Sequence, residues 1–260
     1  MPTLSGGDYT LVYNLFSFTF AAMLASFIFF VLSRSQVAPN YRNALTMSAL
    51  VVAIAGYHYF RIFESWSAAY AINDAGQYVA TGAPFNDAYR YIDWLLTVPL
   101  LVAELIAVMK LGKMSGMITF RLAAAAALMV ILGYPGEIAA DNGTRALWGA
   151  ISTIPFVYIV YVLFRELGPA IARQTGQAQV LLRNIRLLLL ATWGFYPIVY
   201  LLPILGVEPT SALVAVQVGY CIADVAAKCG YGVMIYAIAR EKSIAEGYML
   251  EAKPATAAGD

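Results

Sequence analysis

GYCIADVAAKCGYGVMIYAIA, residues 219–239, is a run of apolar and small residues long enough to cross a bilayer, yet it carries Asp224 and Lys228. Residues four apart share one face of a helix, so this aspartate and lysine meet inside hydrocarbon. A charge at mid-membrane costs roughly 2.5–3.5 kcal/mol on the insertion scale, which demands a purpose. A buried lysine suits imine formation, because desolvation favours the free amine. The pair alone fits equally well a structural ion pair within the membrane.

The rest of the chain has the same character. It is 61% hydrophobic and 12% charged, where a soluble domain is about a quarter charged. Seven apolar stretches, at about 10–33, 42–63, 87–110, 117–137, 145–167, 181–204 and 212–239, each reach the ~20 residues of a span. The fold expected is an all-α integral membrane bundle of seven helices, with residues 1–240 forming one domain and 241–260 a polar tail. No alternating pattern of a barrel is present. Arg34, Arg42, Lys110, Lys113, Arg121, Arg165, Arg173, Arg183, Arg186, Arg240, Lys242 and Lys253 fall on one side, 12 of the 16 Lys and Arg. The other side carries Asp8, Glu64, Asp74, Asp87, Glu137, Asp141 and Glu208. The positive-inside rule puts the C-terminus in the cytoplasm and the N-terminus outside. No Lys or Arg precedes Arg34, which argues against a basic leader segment. The longest non-helical stretch, about 64–86, is rich in turn residues, and QYVAT within it reads as a hairpin strand.

The third span, RYIDWLLTVPLLVAEL at 90–105, holds a second constellation. Asp93 and Glu104 are 11 residues apart, close to three helical turns, so they face one way about 16 Å apart along the axis. Thr97 lies on the same stripe. Carboxylates stacked at two depths suit a proton relay. A carboxyl among apolar groups keeps its proton and one beside a cation stays ionised, so the two can rest in opposite states. His58, the one histidine, lies in GYHYFRIF on the second span, where it can tune a neighbouring acid. Cys221 and Cys229, eight apart on one helix, are about 12 Å apart, too far for a disulfide. No metal-ligand spacing or nucleotide-binding loop is present.

The strings RYIDWLLT (90–97), ATWGFYPIVY (191–200) and ADVAAK (223–228), in this order and with the Asp93–Thr97–Glu104 spacing, resemble the microbial rhodopsins over all seven spans. Within that family the chain looks like a bacterial proton pump of the proteorhodopsin and xanthorhodopsin branch, and AGYHYFRIF, FNDAYRYIDWLLTVPLL, GYPGEI and STIPFVYI look most like its xanthorhodopsin-type subgroup. The resemblance implies a light-driven outward proton pump in a bacterial plasma membrane, a transporter rather than an enzyme. It implies that Lys228 carries all-trans retinal as a protonated Schiff base. Asp93 matches the primary counterion and proton acceptor, Asp224 the second counterion and Glu104 the cytoplasmic proton donor. Arg90 would sit one turn outward of Asp93. His58 matches a histidine that hydrogen-bonds the acceptor, and Tyr59 a tyrosine bonded to the second counterion. Trp94 and Trp193 would sandwich the polyene, with Tyr196 and Pro197 beside it and Met129, Gly133, Ser152 and Thr153 near the ring.

Gly149 follows Trp148 where many pumps have a bulky aromatic. In the xanthorhodopsin type a glycine there opens a lateral window for a carotenoid antenna, expected to be a hydroxylated xanthophyll. A homo-oligomer in the bilayer is expected, without nucleic acid. One departure concerns the last span. Archaeal pumps carry a glutamate eight residues before the counterion, and this chain has Val216, so the proton-release route must differ. The competing classes are a photosensory receptor, a pump of another ion, and a transporter without chromophore. A sensor usually lacks a carboxylate donor such as Glu104, and a chloride pump should lack Asp93.

Overall fold

Large apolar side chains face outward in this chain: Phe18, Phe120 and Ile154 are 58%, 71% and 69% exposed. The charged Asp93, Glu104, Asp224, Arg90 and Lys228 are buried. A hydrocarbon solvent imposes that inversion, because backbone and charged groups must find partners inside the bundle. The computed structural model describes residues 1–112 and 115–248. Seven helices long and apolar enough to span a membrane are α1 (Gly6–Gln36), α2 (Pro39–Ala69), α3 (Tyr89–Met109), α4 (Ser115–Glu137), α5 (Asn142–Ala172), α6 (Gly176–Leu201) and α7 (Pro209–Ala245).

Three helices, α1, α5 and α7, start where the sequence supplies a side-chain cap. Ser5 accepts the Asp8 amide, Asp141 that of Thr144, and Glu208 those of Thr210 and Ser211 ahead of Pro209 at the first turn. Backbone hydrogen bonds to Glu208 and Asp141 hold both carboxyls below the usual range. Two helices contain a π-helical turn, Val162–Glu166 in α5 and Val225–Gly230 in α7. The second contains Lys228, and such turns concentrate at functional positions.

The structure corrects several sequence expectations. α2 continues to Ala69, so Glu64 lies on a helix and not in a loop. The loop beyond it does form a hairpin, β1 (Tyr70–Ile72) against β2 (Tyr78–Ala80), and Leu4 bridges to Tyr78. The partner strand YAI escaped notice because it is short and follows a helix without a break. α6 begins at Gly176, five residues before the expected limit, and α7 runs to Ala245. The tail therefore does not begin at 241. Lys242 donates to the carbonyls of Val108 and Met109 at the end of α3, and Glu246 pairs with Lys110 at 2.8 Å and accepts from Tyr41. These contacts stabilise a turn whose polar composition reads as tail. Residues 249–260, Lys253 among them, and Lys113 lie outside the described residues.

The helices meet closely where glycine permits it. A Cβ at Gly232 of α7 would run into the Phe30 ring of α1, whereas one at Gly116 meets nothing within 4 Å. Gly232→Leu should therefore lower stability by about 1–3 kcal/mol through overpacking, while Gly116→Ala should leave it within about 0.5 kcal/mol. Loss of helical circular dichroism on heating in detergent measures both; equal effects would refute the packing assignment.

Candidate functional site

Four helices converge on Lys228. α7 supplies Asp224 and Lys228, α3 supplies Asp93 and Trp94, α2 supplies Tyr59, and α6 supplies Tyr196. The Lys228 ammonium is bonded to Asp224 Oδ1 and lies 3.2 Å from Asp93 Oδ2, all three groups being buried. A buried cation needs compensating charge, and here two carboxylates share it.

The two carboxylates have unlike surroundings. Asp224 also accepts from the Tyr59 hydroxyl (2.6 Å), the Tyr196 hydroxyl and Trp94 Nε1 (3.2 Å). Asp93 accepts no hydrogen bond from another described side chain, and only the ammonium faces it. The Thr97 hydroxyl donates to the Asp93 carbonyl at 2.9 Å. The negative charge is thus well solvated by protein on Asp224 and sparsely on Asp93.

The expected bond from His58 to Asp93 is absent. His58 Nδ1 pairs with the Ile54 carbonyl at 2.9 Å, and the ring lies against Tyr57 and Tyr89. A local partner one turn back satisfies this nitrogen. Tyr59, the neighbour, donates to Asp224 at 2.6 Å.

Beyond Lys228 opens a cavity of about 130 Å³, partly open to the outside. Trp94, Trp193, Tyr196, Pro197, Met129, Gly133, Gly149, Ser152 and Thr153 line it. Tyr91, Phe156, Tyr200 and Tyr220 line it too; nothing in their spacing set them apart from other apolar helix positions. At its far end a Cβ on Gly149 would stand 2.8 Å from Tyr200 Cε1. Tyr200 is held there by its bond to the Arg145 carbonyl (2.7 Å).

Glu104 is buried at the other depth of α3, apart from the cluster. Ser48 of α2 donates to its Oε2, and its Oε1 has no partner among the described residues. Ser48 was missed, though it lies on the buried stripe Ala44–Ser48–Val52–Ala55–Tyr59 of α2. Arg90 is buried against the rings of Phe16, Tyr59 and Tyr220, with Asp87 at 3.7 Å. Cys221 and Cys229 are free, and Cys229 packs its sulfur against Met23.

Residues 10–242 match the family described as bacteriorhodopsin-like protein. The chain belongs to that family. This bacteriorhodopsin-like protein is 31% identical over 254 residues to the green-light absorbing proteorhodopsin of Gamma-proteobacterium EBAC31A08, covering 94% of each. Among solved structures it is similar to xanthorhodopsin, described as a light-driven ion pump with dual chromophore. The TM-score is 0.91 at 59% identity, over 95% of this chain and 99% of that one. It is equally similar to a thermophilic rhodopsin, with TM-score 0.91 and 53% identity over the same shares. The bacteriorhodopsin-like protein is thus a seven-span, light-driven ion pump of a bacterial plasma membrane, from a retinal-binding family, and not an enzyme.

The unequal support of the two carboxylates has a measurable consequence. In protein prepared without retinal, Asp224→Leu should cost about 3–5 kcal/mol, since it strips a buried charge of its main partner. Tyr59→Phe should cost about 1–2 kcal/mol, the value of one hydrogen bond to a charged group. Thermal melts of the two variants in detergent decide; a smaller loss for Asp224→Leu than for Tyr59→Phe would refute the assignment.

Proposed function

We propose that the protein is an outward, light-driven proton pump whose retinal is held covalently by Lys228. One observation carries the reading: two buried carboxylates flank the Lys228 amine at one end of an aromatic-lined cavity, and a third buried carboxyl lies farther along the same helix as Asp93. The residues fit retinal, since an aldehyde needs a buried primary amine and its polyene needs a flat apolar slot. Trp94 and Trp193 would hold the two faces, and Tyr196 and Pro197 the flank. Met129, Gly133, Ser152 and Thr153 would bound the ring end. When bound as an imine, retinal supplies light absorption and a change of shape that moves the proton at the nitrogen.

The chain's own residues then make the transfer directional. Asp224 keeps its charge, because Tyr59, Trp94 and Tyr196 donate to it. Asp93, 3.2 Å from Nζ and without such donors, is the carboxylate that takes the proton from the nitrogen. Arg90, one turn before Asp93, lies on the exit side. Glu104 with Ser48 returns a proton to the nitrogen from the opposite side. The loop charges put that side in the cytoplasm, with the N-terminus outside, so net transport runs outward.

Cells supplied with retinal and expressing the chain should acidify an unbuffered medium on illumination, and a protonophore should abolish the change. Alkalinisation that the protonophore enhances would mean another ion is moved, and no change in coloured cells would mean a sensor. Lys228→Ala should remove the visible band entirely. Asp93→Asn should keep colour and lose pumping, and Glu104→Gln should slow recovery of the absorption band by about a hundredfold, the scale of a lost general acid.

A second chromophore is proposed on one observation. Gly149 is half-buried at the outer end of the cavity, next to the lipid-facing Thr153 and Ile154. A carotenoid, preferentially a hydroxylated xanthophyll, can lie along this face. Excitation of added xanthophyll should drive acidification, and Gly149→Trp should suppress that contribution while leaving the retinal response. Equal action spectra for both proteins would refute it.

A further inference from the structure

The geometry points to Asp87 as the group through which the pumped proton leaves, with Arg90 and Gln217 forming the passage between it and the Lys228 cluster. This inference rests on the outward-pump reading and extends it to a residue without an assigned role. The exit route was left open by Val216, which is buried and cannot carry a proton. The next residue, Gln217, is also buried (1% exposed) and donates from Nε2 to Asp87 Oδ2 at 3.2 Å. The same Oδ2 lies 3.7 Å from Arg90 Nη1. α7 and the segment leading into α3 are thus joined at one carboxylate oxygen.

The Asp87 side chain is 31% exposed, whereas that of Arg90 is 2% exposed. Asp87 therefore touches both the interior and the outer surface. The guanidinium packs on the rings of Tyr59 and Tyr220, and the Tyr59 hydroxyl binds Asp224. None of the three guanidinium nitrogens makes a hydrogen bond to a described residue, and Gln217 Oε1 makes none either. Such groups, able to donate five N–H bonds and accept at one carbonyl, are what water or a displaced carboxylate would occupy. Asp93 lies four residues inside α3, roughly 6 Å of helix rise from Tyr89, and Asp87 precedes that helix, so the pair suits a relay with Arg90 between.

In the step proposed, the O–H bond on Asp93 breaks as its proton passes to water beside Arg90. An O–H bond then forms on Asp87 and breaks as the proton enters the outer medium, so both carboxylates end as they began. Of the further carboxyls at this end, Glu137 of α4 is a competing candidate. It is engaged with Arg145, 3.4 Å from Nη1, and its backbone carbonyl accepts from the same arginine. It forms no ion pair or hydrogen bond with Arg90 among the described residues, whereas Asp87 stands 3.7 Å from Arg90 Nη1, which favours Asp87.

The test is flash-induced proton release from the purified, retinal-loaded protein, timed with a pH-sensitive dye. Protonation of Asp93 is followed in parallel by its infrared carboxyl band. Asp87→Asn keeps the shape and the bond from Gln217 but cannot carry a proton. It should delay release by about tenfold or more relative to Asp93 protonation, while the retinal band stays in place as the check on folding. Asp87→Glu should restore prompt release, which a purely structural role would not require. Unchanged release in Asp87→Asn, or a delay in Glu137→Gln alone, overturns the inference and leaves the pump reading standing. Absence of flash-induced release in the unaltered protein overturns both.

Discussion

The charge on Lys228 is the constraint on which the interior is organised. An ammonium in a bilayer has no water to meet it, so the bundle must bring carboxylates to it and then satisfy those in turn. Asp224 comes from the same helix and Asp93 from α3. Tyr59, Trp94 and Tyr196 close the shell around Asp224 from α2, α3 and α6. Four helices are therefore locked in register by one nitrogen. The π-helical turn at Val225–Gly230 falls on the same segment, where the lysine must stand between two acids rather than beside one.

From that arrangement follows the asymmetry that makes the site directional. Two chemically identical carboxylates flank the nitrogen, but one is held by three neutral donors and the other by none. Protein dipoles placed around one anion cost nothing to reorganise when a proton moves. Asp224 serves as the fixed charge and Asp93 as the one that changes. The same economy governs Glu104, whose partner is a single serine hydroxyl at the opposite depth. Tyr59 and Ser48 on α2 are 11 residues apart, as are Asp93 and Glu104 on α3, so two adjacent helices carry matched pairs at two depths.

The two faces of the bundle are closed differently. Toward the C-terminal end, Lys242 and Lys110 tie the end of α7 to the end of α3, with Glu246 and Tyr41 between them. Toward the N-terminal end, the hairpin and the aromatic cluster of Tyr9, Trp66 and Tyr78 cover the helix ends. At that end the buried cation Arg90 lacks hydrogen-bond partners among the described residues, and the partly exposed carboxylate of Asp87 stands beside it.

Much of this was legible in the chain alone. Spans of apolar residues must be helices in a membrane, so their number was set by length and hydropathy. The periods of 4 and 11 placed Asp224 with Lys228, and Asp93 on one stripe with Glu104, because residues at those intervals share a helix face whatever surrounds them. Contacts between helices were not legible, because no periodicity within one segment fixes the rotation of its neighbour. Hence Ser48 went unseen beside Glu104, His58 was expected on Asp93 and instead pairs with Ile54, and the end of α7 was taken for a tail. Only the tertiary structure decided which of two buried aspartates would be solvated by protein, since that depends on where three helices direct their hydroxyl and indole groups.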